Sequence, residues 1–321
     1  MKLWTAWTAT CFICIGSLLF IPSQSSAGDN PDRTSLVQSV GQPAAISSQL
    51  AETAKPVPDL RSESTLTATV DKWRMALARE EGFHNWQSAV WNSYPLGPGT
   101  HGWVVILTDH GEEVGYMIVQ SVENGSFRLM EYGTGKHPLF SLTTLYRSLV
   151  QQELIPATIT YSDFIANETI AKDRLYMDGL TAVWRIKLDN QLYYVDAKSG
   201  EVLPIKEDPT PKLVTDDSTR MTTTELKEAS TIMHPAFDPY ERMPWIVGSP
   251  LPVAGLSELQ SALASDQHLT FVTALYDGQV TLPLAVLGYQ AWQDGLPYLV
   301  LDHEGPRYIQ LPTALEMGHI Y

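Results

Sequence analysis

The sequence predicts an α+β protein built from antiparallel sheets, each covered by a helix. Two stretches carry apolar residues at helical spacing: Val70, Trp73 and Leu77 in the first, Leu142, Leu145 and Leu149 in the second. Each is followed by runs that alternate in the β manner, with short turn signals between them. The order helix-then-strands is met twice between residues 66 and 205, and a β-rich stretch follows after a Pro-rich segment.

The chain opens with Met1-Lys2 and the apolar run "LWTAWTATCFICIGSLLFIP", then small residues up to Ala27. A short basic region, an apolar region and a small-residue break read as a signal peptide over residues 1–27, cleaved after Ala27. The rival reading is an uncleaved anchor, since the run is about long enough to span a bilayer. Both cysteines, Cys11 and Cys14, lie inside it, so the mature chain has no thiol for a disulfide, a metal or a nucleophile. Residues 28–65 are rich in Ser, Pro, Ala and Gln and poor in aromatics, which reads as a disordered spacer.

The first α-β unit spans 66–140. "TATVDKWRMALAREEGF" is an amphipathic helix, followed by the strands "GWVVILTD", "EEVGYMIVQSV" and "SFRLMEYG", joined at His110-Gly111 and Asn124-Gly125. The second unit spans 141–205. Ser141 is placed to cap "LTTLYRSLVQQ"; then come "ATITYSDF", "TAVWRIKLD", "QLYYVDA" and "EVLPI" as strands, with turns at Asp189-Asn190 and Ser199-Gly200. Residues 206–250 form a Pro-rich linker with one short helical candidate, "TTTELKEAS". The last domain, 251–321, is small and β-rich. "LSELQSAL" is its helix, one hairpin turns at Asp277-Gly278 and another at His303-Glu304-Gly305.

"LYYVDAKSGEVL" resembles the closing hairpin of PepSY-type domains, where an aromatic-rich strand, an Asp-Ala-x-(Ser/Thr)-Gly turn and a Glu-Val-Leu strand recur. "EVGYMIVQSVENGSFRLMEYGTGKHPLF" is similar to the pro-segment of streptopain- and staphopain-like secreted proteases. Together they cover roughly residues 67–205. The resemblance implies tandem PepSY- or pro-segment-like units in a secreted protein of Gram-positive bacteria. It also implies a non-catalytic domain that contacts, inhibits or chaperones a protease or other envelope protein. "VLGYQAWQDGLPYLVLDHEG" has the outline of the late strands of papain-like proteases. No cysteine follows Cys14, however, and Ala285-Val286 stands where that family has a histidine. A relative of that kind would lack both nucleophile and base.

Other chemistry has little sequence support. No G-x-S-x-G occurs. None of the eight histidines forms H-x-x-x-H or H-E-x-x-H, and "YGTGKHP" lacks phosphate-loop spacing. Glu80-Glu81, Glu112-Glu113 and Asp216-Asp217 read as solvated surface charge rather than a glycosidase pair. The formal net charge is −15, or −16 once Lys2 leaves with the signal, which disfavours nucleic acid and anionic membrane. No catalytic residue, metal or cofactor is expected.

Two aromatic-rich spans remain: Trp86, Trp91, Tyr94 and Trp103 in the first, Tyr289, Trp292 and Tyr298 in the second. Rings at this density serve as core and lid residues or as a groove for peptide or glycan. The sequence thus reads as a secreted or envelope-associated binding protein. Its expected partner is an extracellular protease or envelope protein, with these rings and the free sheet edges as candidate contact points. The alternative is a secreted envelope hydrolase whose catalytic residues carry no motif.

Overall fold

The computed structural model describes residues 60–97, 101–122, 125–210, 226–227, 229–266, 268–293 and 295–321, with side chains from residue 65 onward. The signal peptide, residues 28–59 of the expected spacer and Asn124 lie outside the described residues. Helix α1 (Leu60–Leu77) is followed by a single 3-10 turn (His84–Gln87). Four strands come next: β1 (Val90–Pro95), β2 (Gly102–Asp109), β3 (Glu112–Ser121) and β4 (Phe127–Thr134). Then come α2 (Leu142–Gln151), α3 (Tyr161–Ala166), β5 (Ala171–Tyr176), β6 (Ala182–Leu188) and β7 (Gln191–Asp196). The C-terminal part holds β8 (Ala229–Met233), α4 (Pro244–Val247), α5 (Leu256–Ser265), β9 (Thr270–Leu275) and β10 (Val280–Trp292). It closes with β11 (Pro297–Asp302), β12 (Pro306–Gln310), α6 (Leu311–Met317) and β13 (Gly318–Ile320).

These strands form two sheets. The larger has ten strands in the order β1-β2-β3-β4-β12-β11-β10-β9-β13, with β8 beside β10; the smaller is β5-β6-β7. Every pairing is antiparallel, so the α+β class with antiparallel sheets is the one observed. The pairing of β4 with β12 sets Glu131 opposite Ile309, Tyr132 opposite Tyr308 and Gly133 opposite Arg307. Residues 66–140 and 251–321 therefore share one sheet.

The apolar runs of β2 and β3 follow from burial on both faces. Val105, Leu107, Met117 and Val119 pack against Val70, Trp73 and Leu77 of α1. Their alternates Val104, Ile106, Tyr116 and Ile118 pack against Leu145 and Leu149 of α2 and against Trp184 and Ile186 of β6. The β2–β3 turn works because His110 and Gly111 both adopt positive φ (50° and 85°), the geometry whose twist matches a hairpin. Farther along the sheet, Leu299, Leu301 and Ile309 pack against Leu259 and Leu263 of α5 and Leu311, Ala314 and Met317 of α6. Ser141 caps α2 as expected, its hydroxyl accepting from the Thr144 N–H at 3.1 Å.

Several expectations are corrected. "ATITYSDF" is not a strand: Thr160 accepts from the Asp163 N–H at 3.2 Å and starts α3, which buries only Phe164. The strand that completes the small sheet is β5, "AKDRLY", whose polar centre hides its alternation. Its Lys172 amine is spent on the carbonyls of Phe164, Asn167 and Ile170, at 3.2, 2.9 and 3.0 Å. "EVLPI" adds only one bridge, Val202 to Val195. The helical candidate "TTTELKEAS" lies partly outside the described residues, and its last residues begin β8. Helix α1 starts at Leu60, inside the stretch read as spacer, and β1, α6 and β13 were not foreseen. Among the described residues no helix is long and apolar enough to cross a membrane.

Candidate functional site

The seam between β4 and β12 carries a buried ionic cluster. It starts with a bulge: Val119 pairs with Leu129 and Ile118 with Glu131, which leaves Met130 as the extra residue of β4. The bulge lets Leu129 join the α1 side while Glu131 turns to the face of Ile118. On β12, Arg307 lies on the same face as Ile309, two residues on. Glu131 is 0% and Arg307 1% exposed.

Arg307 Nε donates to Glu131 Oε1 at 2.8 Å, and Nη2 lies 2.8 Å from the same oxygen. The Tyr116 hydroxyl also donates to Oε1, and the Tyr176 hydroxyl donates to Oε2 at 3.1 Å. Arg307 Nη2 reaches the Gly179 carbonyl, and Nη1 lies 2.9 Å from His303 Nδ1. A guanidinium only donates, so His303 accepts there and is neutral, with its proton on Nε2. Burial disfavours the Arg307 charge, but Glu131 outweighs it and holds the pKa above the usual arginine range. Burial pushes the Glu131 carboxyl up, opposed by Arg307 and the two tyrosine hydroxyls. Two glycines make room: a Cβ on Gly179 would sit 2.6 Å from Ile309 Cγ2, and one on Gly133 would sit 2.5 Å from the Tyr116 ring.

The Asp196–Gly200 turn delivers a second cation to the same place. Asp196 Oδ1 accepts from the N–H groups of Lys198 (2.9 Å) and Ser199 (2.7 Å), and Gly200 takes the positive φ (81°) that closes the turn. Lys198 is 1% exposed, donates to the His137 carbonyl and lies 5.8 Å from the centre of the Tyr116 ring. Burial, reinforced by Arg307, lowers its pKa to about 7. Burial likewise lowers His303 to about 4. Lys198 lines a cavity of about 220 Å³, with His137, Arg147, Glu201 and Glu304 also in its walls.

A second cavity, of about 460 Å³, lies between the chain after β7 and the β9–β10 turn. Its walls include Asp178, Lys206, Glu207, Tyr276 and Asp277, and Asp208, which Arg185 (2.5 Å) and Tyr194 (2.8 Å) hold in place. The Tyr276 hydroxyl is buried there without a hydrogen-bond partner among the described residues. Among the described residues no group of three or more His, Cys, Asp or Glu side chains is placed to hold a metal ion.

Of the aromatic residues singled out from the sequence, Trp86, Trp91, Trp103, Trp292 and Tyr298 belong to or pack against the α1 core, while Tyr94 packs against the α2 core and Tyr289 belongs to the α5 core. Trp86, Trp292 and Tyr298 are buried in the α1 core, where they donate to the Val114 carbonyl (3.2 Å), the Tyr132 hydroxyl (3.3 Å) and the Leu129 carbonyl (2.8 Å) respectively. Tyr289 is buried with α5, accepting from Gln260 at 2.8 Å. Trp91, Tyr94 and Trp103 are partly buried. Trp91 donates to Asp71 at 3.0 Å, Tyr94 lies under the Arg174 guanidinium at 4.5 Å, and Trp103 meets Phe127 edge-on at 5.9 Å.

Exposed large apolar side chains are scattered over the described residues (Met75, Val90, Tyr161, Ile165, Leu192 and Val202), but they are densest in the segment that begins with β8. Ile232, Met233, Tyr240, Met243, Ile246, Val247 and Leu251 are all exposed, Val247 by 88%. Compared with known proteins, the chain matches no protein-family model and no curated protein.

Sequence reasoning passed over Glu131, Lys198 and Arg307. Arg307 did leave a signal: in "PRYIQ" it shares the i, i+2 face of the apolar Ile309. Glu131 stands in "RLMEYG" with apolar neighbours on both sides, but the bulge that decides its face leaves no mark in the sequence.

Proposed function

We propose that the chain is a secreted, non-catalytic binding protein that takes an extended segment of a secreted protease or other envelope protein, as inhibitor or chaperone. The observation that supports this reading is the strap from Ile232 to Leu251, where seven large apolar side chains stand in solvent. Beside it, β8 pairs only with β10 among the described strands. Its outer edge therefore offers N–H and C=O groups to an added strand, while the neighbouring apolar residues supply contacts for side chains. The PepSY-like relationship belongs to the same proposal. It is supported by α2 packed on one face of a three-stranded antiparallel sheet whose last strand runs into the Asp-Ala-Lys-Ser-Gly turn.

The test measures casein cleavage by a co-secreted protease, and its recovery of activity after dilution from denaturant, with and without the mature chain. Slowed cleavage or improved recovery is expected, and it should vanish for the Ile246→Asp, Val247→Asp double variant. Equal behaviour of wild type and variant would sink the proposal. So would hydrolysis of casein or peptidoglycan by the chain itself, which would return attention to Lys198 and His137 at the small cavity.

A further inference from the structure

We infer that the 220 Å³ cavity beside the Asp196–Gly200 turn is a binding site for a single carboxylate group, with Lys198 as its counter-charge and Arg147 at its mouth. The starting point is the surroundings of the lysine. It is 1% exposed; among the described residues its amine has one acceptor, the His137 carbonyl, and no carboxylate lies within ion-pair distance of it. An ammonium group has three donors, and a buried charge with neither counter-ion nor full hydrogen bonding is strongly disfavoured. Of the acids whose charge reaches Lys198, Glu131 is already engaged by Arg307 and two tyrosines, Asp196 by the N–H groups of its own turn, and Glu304 stands in the cavity wall. Lys198 and its acceptor residue His137 both line an open cavity, so an anion arriving from solvent can supply what the fold does not.

The size and walls select the anion. A cavity of 220 Å³ is smaller than the roughly 300–1,000 Å³ of sites for drug-sized ligands and suits one small group. Glu201 and Glu304 in its walls repel a doubly charged phosphate more than a singly charged carboxylate. The walls are fixed before any ligand arrives. Gln152 Nε2 donates to Ser148 Oγ at 2.6 Å and to the Gly200 carbonyl at 3.0 Å, and the Ser148 hydroxyl donates to the same carbonyl. The carboxylate can belong to a small free acid or to the end of a polypeptide chain; the recognising chemistry is the same.

This inference is independent of the strap, and its test needs no protein partner. Calorimetric titration of the mature chain would use acetate, N-acetylglycine, an acetylated tripeptide acid, the amides of the last two, and inorganic phosphate. The acids should bind and the amides should not, and Arg147→Gln should weaken the acids by about tenfold or more. Lys198→Met should abolish binding; because that variant alters the interior, the exposed Arg147 position keeps the test valid if it folds poorly. A tripeptide acid that binds better than acetate marks a chain end as the ligand; equal binding marks a small acid. Acid and amide binding alike, phosphate binding more tightly than any carboxylate, or no binding up to millimolar concentration would each overturn the inference.

Discussion

The β4–β12 seam and the Ile232–Leu251 strap invert the usual placement of side chains. At the seam a glutamate, an arginine, a lysine and a histidine are all buried, and the Glu131–Arg307 pair has a named partner for almost every polar atom. On the strap, seven apolar side chains face solvent. Burying a charge is tolerable only where geometry returns most of the lost hydration. Exposing one apolar side chain is common, whereas a contiguous set marks a contact surface. The seam is thus a device of structure, joining β4, β12 and the β5–β6 turn, and the strap is where the proposed interaction would fall. Substitutions at the two should separate along that line.

The largest effect is expected at Arg307. Replacing it with leucine leaves Glu131 buried with only tyrosine hydroxyls and removes the donor to the Gly179 carbonyl. A loss of about 3–5 kcal/mol is expected, a large part of the stability of a typical domain. Denaturant midpoints would measure it. Removing both charges, with Glu131→Leu added, should recover much of the loss, because a buried pair replaced by apolar groups is often neutral. If the double variant is no better than the single, the seam is held by more than its ion pair.

That expectation also shows where the sequence was legible. Helices α1, α2 and α5, strands β2 to β4 and the hairpins of the C-terminal part follow from apolar spacing and turn residues, because each element buries its own regular pattern. The seam was not legible, because the pairing of β4 with β12 brings together residues such as Glu131 and Arg307, 176 positions apart, and depends on a bulge at Met130. Strand β5 was missed because Lys172, Asp173 and Arg174 look solvated. In the folded chain Lys172 binds three carbonyls, and the Arg174 guanidinium lies between Tyr94 and Trp184, at 4.5 and 4.7 Å from their ring centres. The aromatic residues were legible as rings, but not as members of three separate cores.

A smaller effect is expected at Gly179. An added Cβ meets Ile309 Cγ2 at 2.6 Å, and the same residue presents its carbonyl to Arg307. Gly179→Ala should therefore lose about 1–3 kcal/mol, by pushing the turn off the seam. A neutral result would mean that the β5–β6 turn can move without loosening Arg307, and the seam would then be narrower than drawn.

Lys198 sharpens the comparison through pH. Its folded pKa, lowered to about 7 by burial and by Arg307, lies below the ordinary lysine value of 10.5. Between those values the unfolded chain binds the extra proton, so stability should rise with pH, and the penalty is complete below about pH 7. Denaturant midpoints of the wild-type chain at pH 7 and pH 9, below the range where tyrosines ionise, should therefore climb. In Lys198→Met the climb should flatten. A climb that persists in the variant assigns the titration to another group.

The smallest effect on stability is expected on the strap. Val247 is 88% and Ile246 64% exposed, so neither has much interior contact to lose. Val247→Asp should change the unfolding free energy by no more than about 0.5 kcal/mol, the usual range for a surface substitution. Aspartate also adds charge to a chain that already carries −15, which favours solubility over self-association. A loss comparable to that of Gly179→Ala would mean that the strap packs against the folded chain in solution. Its apolar side chains would then belong to the structure, and the division between a seam that holds and a strap that binds would fail.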